Sequence, residues 1–232
     1  MAKFIVIEGT DGCGKQTQSA MLTERLRQQG KNVIVQSFPN YESLSSGPVK
    51  LYLGGHLCEK ATDFDAYEAS ALFMVDRLCT IRQLEKTLKE DDVVVFDRYV
   101  ESNFIHNASK IDDEEKRQEF IDWEIQTEYG LLKLPKPNIV FFLNMPFEIS
   151  IELAHGRSEL KVGEKQDIHE KDEEYLKHCS EVGMQIAKQY GWEIVDCAKD
   201  GKPKSIQDIS DDIFSRVQDR LHLFEDNCSL EG

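Results

Sequence analysis

A glycine-rich stretch near the start of the chain has the residue types and spacing of a phosphate-binding loop. Residues 4–17 read Phe-Ile-Val-Ile-Glu-Gly-Thr-Asp-Gly-Cys-Gly-Lys-Gln-Thr. Phe4–Ile7 is a short apolar run, which is typical of a strand buried on both faces. Gly9, four residues, Gly14 and Lys15 follow at once. A turn rich in glycine lets the backbone close around an anion, because no Cβ atom obstructs the approach.

A helical pattern continues from about Gly14 to Arg27 and ends near Gly30. The backbone N–H groups of the loop, the helix N-terminus and the Lys15 ammonium therefore converge, as suits the β- and γ-phosphates of a nucleotide. A purely structural turn is the alternative. The candidate nucleotide-binding residues are Gly9, Thr10, Asp11, Gly12, Cys13, Gly14, Lys15, Gln16 and Thr17.

The position after the lysine departs from the usual phosphate loop, in which Ser or Thr ligates Mg²⁺ through its hydroxyl. Gln16 stands there, and Thr17 comes one place later. Two hypotheses follow: either Thr17 replaces the usual ligand, or the metal is held through phosphates and water. Asp97 ends an apolar strand, a setting typical of a carboxylate near Mg²⁺, although it could also be a loop or helix cap.

Composition limits the function classes that remain. The chain has 232 residues and a net charge of −15, which argues against nonspecific nucleic-acid binding. No apolar run approaches the ~18 residues of a membrane span, and the first strand begins too early to leave room for a signal peptide. The six cysteines are scattered without metal-ligand spacing, so we expect free thiols in a reducing compartment. We therefore expect a cytoplasmic protein.

Five apolar strand patterns alternate with helical patterns along the chain. The expected strands are Phe4–Ile7, Lys31–Ser37 with its apolar Val33, Ile34 and Val35, Val93–Phe96, Ile139–Leu143 and Trp192–Val195. The expected helices are residues 14–27, a short helix before Gly54, and residues 65–89, 112–129, 146–155, 170–190 and 205–224. This order predicts an α/β fold with a five-stranded parallel sheet flanked by helices, of the P-loop nucleoside triphosphate hydrolase type.

We expect one domain over residues 1–228, and we expect residues 229–232 to lie outside the fold as an expression scar. Ligands of such sheets bind beyond the carboxyl ends of the strands. Attention therefore falls on the loop after the first strand, on Phe38-Pro39 and on Asp97-Arg98-Tyr99. A guanidinium beside a phosphate loop can grip a phosphate bidentately. The alternative for Arg98 is a salt bridge to Asp97 or Asp76.

The motifs taken together resemble the thymidylate kinase family, in its bacterial form, over nearly the whole chain. The matching segments, in order, are Gly-Thr-Asp11-Gly-Cys-Gly-Lys15-Gln-Thr17, Phe38-Pro39, Leu-Phe73-Met-Val-Asp76-Arg77, Asp97-Arg98-Tyr99-Val-Glu-Ser102-Asn103 and Asp167-Ile-His-Glu170. The resemblance implies ATP-dependent phosphorylation of dTMP to dTDP, with Mg²⁺, by a homodimer. The implied partners are dTMP and ATP, with no nucleic acid and no membrane.

The resemblance also implies roles for individual residues. Lys15, Asp11, Arg98 and Arg157 would be catalytic, with Arg98 holding the acceptor phosphate. Phe73 would stack on thymine, although ordinary helix core is the alternative, and Arg77 and Asn103 would hydrogen-bond the base. The implied substrate-binding set is Asp11, Phe38, Pro39, Tyr41, Phe73, Arg77, Arg98, Ser102, Asn103, His106, His169 and Glu170. The implied metal site is Asp11, Asp97 and Thr17.

Residues 156–169 match the segment that closes over ATP in this family, called the lid segment below. The family has an arginine either at the position of Gly12 or in the lid segment, so here the lid segment is expected to supply the cation. Arg157 matches a family arginine, whereas Lys161 and Lys165 stand where arginine is expected. A solvated loop is the alternative for the two lysines. His106 and His169 stand where relatives often have tyrosine.

Three further expectations complete the sequence interpretation. We expect a cis peptide bond at Phe38-Pro39, because X-Pro is the linkage at which cis costs least. The wide apolar band of helix 65–89 predicts a dimer surface that includes Tyr67, Ser70, Met74 and Leu78.

The competing functions are a kinase for another nucleoside monophosphate or a deoxynucleoside, and a slowly hydrolysing nucleotide switch. A GTPase switch requires an Asn-Lys-x-Asp segment, which this chain lacks.

Overall fold

The computed structural model describes residues 1–158 and 172–221. Its central sheet has five parallel strands in the order β2-β3-β1-β4-β5, which confirms the predicted fold class. The strands are β1 Lys3–Glu8, β2 Val33–Ser37, β3 Val93–Asp97, β4 Ile139–Asn144 and β5 Glu193–Asp196. Because β1 is central and followed by the glycine-rich loop, that loop lies at the middle of the carboxyl edge.

Helices cover both faces of the sheet. They are α1 Lys15–Gln28, α2 Gly47–Leu53, α3 Ala66–Leu84, α4 Glu101–Ile105, α5 Glu114–Glu124, α6 Phe147–Ser158, α7 Glu173–Gln189 and α8 Ile206–Leu221. On one face, Leu22 of α1 and Ile213 of α8 pack against Ile5, Ile7 and other β-strand side chains. On the other, Phe104, Phe120 and Val182 pack against Val6 and Val94. Continuous apolar strands are therefore buried on both sides, as their composition predicts.

Several predicted boundaries are wrong. Helix α3 ends at Leu84, five residues before the predicted end, and a turn follows in which the Leu88 N–H still bonds the Leu84 carbonyl. The fifth strand begins at Glu193 rather than Trp192. Helix α6 runs three residues into the predicted lid segment. The last three residues predicted for the final helix, 222–224, lie outside the described residues.

Helix α4 and a β-hairpin were not predicted, and one predicted helix has an unpredicted second part. Helix α4 is only five residues long and begins two residues after Tyr99. A two-stranded antiparallel hairpin pairs β6 Ala198–Lys199 with β7 Lys202–Pro203. The predicted helix 112–129 begins at Glu114, after Asp113 accepts a hydrogen bond from the Lys116 N–H, and becomes a π-helix over Ile125–Leu131.

Candidate active site

The loop after β1 has the backbone shape that its glycines require. Gly12 and Gly14 have φ angles of 80° and 95°, in the left-handed region where a residue with Cβ is strained. Gly14 caps α1, so the positive end of that helix faces the loop. The Lys15 ammonium is buried and donates to the Thr10 carbonyl at 2.7 Å. The loop therefore presents helix dipole and lysine together, as predicted.

Gly12 has a second, steric requirement. A Cβ at this position would lie 1.9 Å from the carbonyl oxygen of Ser150 in α6. An arginine at position 12 is therefore incompatible with this packing. The structure gives a physical reason why the loop itself carries no arginine.

A cluster of charges joins the loop to the end of β3. Arg98 donates through Nη2 to Asp11 Oδ1, and the same carboxylate oxygen lies 3.7 Å from Lys15 Nζ. Burial alone would lower the pKa of Arg98, but the charges of Asp11 and Glu8 raise it, so the guanidinium stays charged. The salt-bridge partner of Arg98 is thus Asp11, not the Asp97 or Asp76 considered from sequence. Arg98 and Lys15 therefore share the Asp11 carboxylate where the phosphate loop meets the end of β3.

Arg98 also has an unusual backbone conformation. Its φ is 67°, which is uncommon for a residue with a side chain. The Arg98 N–H donates to the Ile7 carbonyl of β1 at 3.2 Å, and its Nη1 lies 3.1 Å from His106 Nε2. The guanidinium is therefore fixed from two sides at the carboxyl edge of the sheet.

Glu8 is a site residue that sequence reasoning missed. It is fully buried at the end of β1, where its carboxylate accepts from the Tyr99 N–H at 2.8 Å and from the Ser102 hydroxyl at 2.8 and 3.0 Å. Burial raises the pKa of Glu8, although Arg98 and these hydrogen bonds act the other way. An acid directly after a buried strand was the available signal. Ser102, predicted to bind substrate, is engaged here in positioning the turn.

A cavity of about 480 Å³ opens beside this cluster. It is lined by Asp11, Gln16, Ser37, Phe38, Pro39, Tyr41, Leu53, Phe73, Arg77, Asp97, Arg98, Tyr99, Ser102, Asn103, His106 and Asn107. These residues come from the ends of β2 and β3, from the loops that follow β1, β2 and β3, and from α1, α2, α3 and α4. The cavity thus unites residues that the sequence placed in one substrate site.

One wall of the cavity is aromatic. The Phe38-Pro39 peptide bond is cis, as predicted. Phe38 is buried against Phe96 and Tyr99, with ring centroids 5.8 and 5.7 Å away. Phe73 is half-buried and meets Tyr52 edge-on at 6.2 Å. Phe73 therefore belongs both to the helix core and to the cavity wall, so the two sequence interpretations are compatible.

A buried polar cluster forms the far wall. Arg77 donates through Nε and Nη2 to the two carboxylate oxygens of Glu128 at 2.8 and 2.5 Å. Asn103 donates to Glu124 Oε1 at 2.9 Å and accepts from Asn107 Nδ2 at 3.1 Å. Burial alone would lower the pKa of Arg77, but Glu128 raises it. Arg77 and Asn103 line the cavity, while their acidic partners were not foreseen.

The chain matches known proteins of one family over most of its length. A model of the thymidylate kinase family matches residues 7–213. Thymidylate kinase from Mycobacterium tuberculosis is 31% identical over 82% of this chain and 87% of that protein. A probable thymidylate kinase from Methanococcus maripaludis is 28% identical over 95% of this chain and 98% of that protein.

The chain belongs to the thymidylate kinase family. It is a nucleotide-binding phosphotransferase, and dTMP phosphorylation is the activity that this membership supports. A solved thymidylate kinase from Candida albicans has a TM-score of 0.70 at 22% identity, and the match covers 96% of this chain and 93% of that one. This likeness shows the shared fold.

Oxygen ligands for a metal are sparse at this thymidylate kinase site. Asp97 lines the cavity, and Thr17 is half-buried in the first turn of α1, whereas Asp11 is engaged by Arg98 and Lys15. Gln16 lines the cavity in place of a hydroxyl residue. Within residues 1–158 and 172–221, no three acidic, His or Cys side chains are grouped as a metal site. These residues fit a Mg²⁺ ion that takes most of its ligands from phosphate and water.

The structure describes only some of the other residues that the sequence predicted for the site. Tyr41 is half exposed at the cavity mouth, and His106 is buried beside Arg98. Arg157 lies in the last turn of α6, but its side chain is outside what the structure describes. Lys161, Lys165, His169 and Glu170 lie outside the described residues. Over the described part of the chain, no helix is both long and apolar enough to cross a membrane.

Proposed function

We propose that this protein transfers the γ-phosphoryl group of ATP to the 5′-phosphate of dTMP, yielding dTDP. The observation that supports this best is the junction of Arg98, Asp11 and Lys15 between the phosphate loop and the cavity. A cation beside a phosphate loop, at one end of a cavity with an aromatic wall, suits an acceptor that carries both a phosphate and a base.

On the donor side, the loop N–H groups and Lys15 hold the β- and γ-phosphates. Lys15 then exchanges its contact with the Thr10 carbonyl for phosphate oxygens. Asp97 and Thr17 would hold Mg²⁺, which would supply positive charge beside the donor phosphates. Transfer of a phosphoryl group needs little covalent participation by the protein, so alignment and charge stabilisation provide most of the rate acceleration.

On the acceptor side, Arg98 binds the dTMP phosphate. Asp11, already bonded to Arg98, orients that guanidinium and the acceptor oxygen. Phe73 stacks on the thymine ring, because aromatic faces pair well in an offset geometry. Arg77 and Asn103 bond the base edge, and Phe38, Pro39, Tyr41, Ser102 and His106 enclose the sugar and phosphate.

The lid segment supplies the remaining cation in this proposal. Because Gly12 cannot be replaced by arginine in this packing, Arg157 is the candidate that neutralises charge on the migrating phosphoryl group. Lys161 and Lys165 are auxiliary charges, and His169 and Glu170 complete the substrate side.

We also propose a homodimer in the cytoplasm. The exposed side of α3 carries Tyr67, Ala71 and Val75, with Tyr67 41% and Val75 47% exposed. Met74 and Leu78 are half-buried beside them. The predicted surface is wrong at Ser70, which is fully buried and accepts a hydrogen bond from Asn107.

The cysteines support the proposed cytoplasmic location. Those in the described part of the chain, Cys13, Cys58, Cys79, Cys179 and Cys197, are all free thiols, as is typical of a reducing compartment.

The deciding experiment compares acceptors under one condition. Purified protein is incubated with ATP, Mg²⁺ and dTMP, dUMP, CMP, AMP or thymidine, and ADP formation is followed. We expect the highest kcat/KM with dTMP and none of comparable size with thymidine, which lacks the phosphate that Arg98 binds. A higher kcat/KM with CMP, AMP or thymidine would reject the proposed acceptor.

A further inference from the structure

The acidic residues behind the cavity form an organised second layer. Glu124 and Glu128 are fully buried, and neither lines the cavity. They lie one helical turn apart where α5 passes into the π-helix, so both face Arg77 and Asn103. π-Helical segments are rare in proteins, and those that occur often lie at functional sites. Buried carboxylates need partners, and here the partners are the residues that face the cavity.

Stability alone is a weak reason for this arrangement. A buried ion pair gives little or no net stability relative to apolar packing, because both charges must leave water. The Arg77–Glu128 pair is 2% and 0% exposed and is bidentate. What such a pair does provide is a fixed geometry, since the planar guanidinium cannot rotate away from the carboxylate.

Arg77 has N–H donors that remain for a ligand, and the Asn103 amide is fixed beside it. Two of the five guanidinium N–H groups of Arg77 are given to Glu128, and none of the described residues accepts from Nη1. Asn103 cannot flip its amide, because its nitrogen donates to Glu124 and its oxygen accepts from Asn107. The Asn107 nitrogen donates to Ser70 as well. The wall therefore presents a fixed donor at Arg77.

We propose that Glu128, assisted by Glu124, is a positioning residue that selects the base: it holds Arg77 as a fixed donor, so that the site accepts a base with a carbonyl oxygen at that edge and rejects one with an exocyclic amine. The inference rests on the proposed function, because it concerns the same cavity. A carbonyl accepts from the guanidinium, whereas an amine would place donor against donor and leave a buried polar group unpaired.

The protonation state of Glu124 agrees with this arrangement. Burial, and then the neighbouring Glu128 carboxylate, raises the pKa of Glu124 to about 8, while Arg77 acts in the opposite direction. The raised pKa favours the neutral form of Glu124, which leaves Glu128 as the carboxyl group that Arg77 contacts. The guanidinium stays with Glu128 rather than being shared between two carboxylates.

The test measures binding rather than turnover. Calorimetry without ATP gives the Kd of dTMP and of dCMP for wild type, Glu128→Gln and Glu128→Asp. The matched control is Glu119→Gln, an exposed carboxylate on α5. We expect Glu128→Gln to weaken dTMP binding by ~10-fold or more and to reduce the preference for dTMP over dCMP, since a charged hydrogen-bond partner is lost. The control should match wild type.

Glu128→Asp keeps the buried charge, so it remains informative if Glu128→Gln does not fold, and it should also reduce the preference. A folded variant with an unchanged dTMP to dCMP ratio would overturn the inference, as would equal weakening of both nucleotides. Turnover of wild type is assayed separately. If wild type binds dTMP selectively through Glu128 but transfers no phosphate to it, the proposed function fails while this inference stands.

Discussion

At the scale of single residues, Lys15 tests the donor site most directly. Its ammonium bonds the Thr10 carbonyl and no apolar core contact depends on the charge. We expect Lys15→Ala to lower kcat at least ~10²-fold, because stabilisation of the migrating phosphoryl group is lost. Thermal unfolding should change little. The exposed Lys50 gives a matched control, Lys50→Ala, and near-normal turnover of Lys15→Ala would refute the assignment.

Glu101 predicts a pH dependence of stability. Its side chain is 4% exposed and accepts from the Tyr129 hydroxyl at 2.6 Å, and burial raises its pKa from 4.5 to about 8. A carboxyl whose pKa is higher in the folded state than in the unfolded state destabilises the fold as pH rises between those two values. The stability that the protonated Glu101 carboxyl contributes to the fold is therefore fully present below about pH 4.5 and is lost as pH rises through about 8.

Glu101→Gln removes this titration. We expect the melting temperature of the variant to rise relative to wild type as pH increases from 5 to 9, levelling off above the folded-state pKa. Glu119→Gln is the control, since that side chain is exposed. If the difference in melting temperature between wild type and Glu101→Gln stays constant from pH 5 to 9, the prediction is wrong.

At the scale of elements, the packing of α6 on the phosphate loop makes Gly12 sensitive. Gly12→Ala meets the Ser150 carbonyl and keeps an unfavourable φ, whereas Gly14→Ala has only the φ cost of about 1–2 kcal/mol, with open space around its Cβ. Gly47 has open space and a helical φ. We therefore expect the loss of unfolding free energy to rank Gly12→Ala, then Gly14→Ala, then Gly47→Ala. Equal losses at positions 12 and 14 would show that α6 moves away freely.

The lid segment carries a second prediction at this scale. If Arg157 supplies the cation that Gly12 cannot, Arg157→Ala should lower kcat far more than it weakens dTMP binding, because its contact belongs to the transition state. Lys161→Ala should lower kcat by ~10-fold or less, since an ammonium is a point charge without a planar fork. Steady-state kinetics and dTMP calorimetry separate the two effects. Normal turnover of Arg157→Ala beside an inactive Lys161→Ala would reverse the assignment.

The elements also show where sequence patterns are sufficient. Apolar strands and long helices are encoded by local periodicity, so all five sheet strands were predicted within about two residues at either end. Helix α4 was not predicted, because a five-residue helix is too short to show a helical pattern and its position depends on the turn after Arg98. The link between Arg77 and Glu128 spans 51 residues, and no local pattern encodes such a pair. Tertiary packing decides those features.

At the scale of the whole molecule, the same limits apply to the site. Residues in a recognisable motif, such as Asp11, Arg98 and Phe73, could be placed in one cavity from sequence. Glu8, Glu124 and Glu128 could not, because they act by holding other residues rather than by belonging to a motif. The predicted dimer surface failed at Ser70 for a related reason: helical periodicity gives a face but not what covers it.

Association is the prediction that belongs to the whole molecule. Tyr67, Ala71 and Val75 leave an exposed apolar strip on α3, although Tyr67 also packs edge-on against Phe120 and Trp123. Such a strip is typical of a two-fold interface, in which the same surface serves both subunits. We expect sedimentation at micromolar concentration to show a species of twice the chain mass of 26.7 kDa.

Val75→Asp should shift this equilibrium to monomer, because burying the new carboxylates against each other in a symmetric interface is costly. Ile206, which is 56% exposed at the start of α8 on the opposite face of the sheet, provides the control Ile206→Asp, expected to remain dimeric. Because Phe73 and Arg77 lie on the same helix as Val75, loss of the dimer should also weaken dTMP binding if association holds α3 in place. A wild-type protein that sediments as a single species of 26.7 kDa would exclude the dimer, and a dimeric Val75→Asp would move the interface elsewhere.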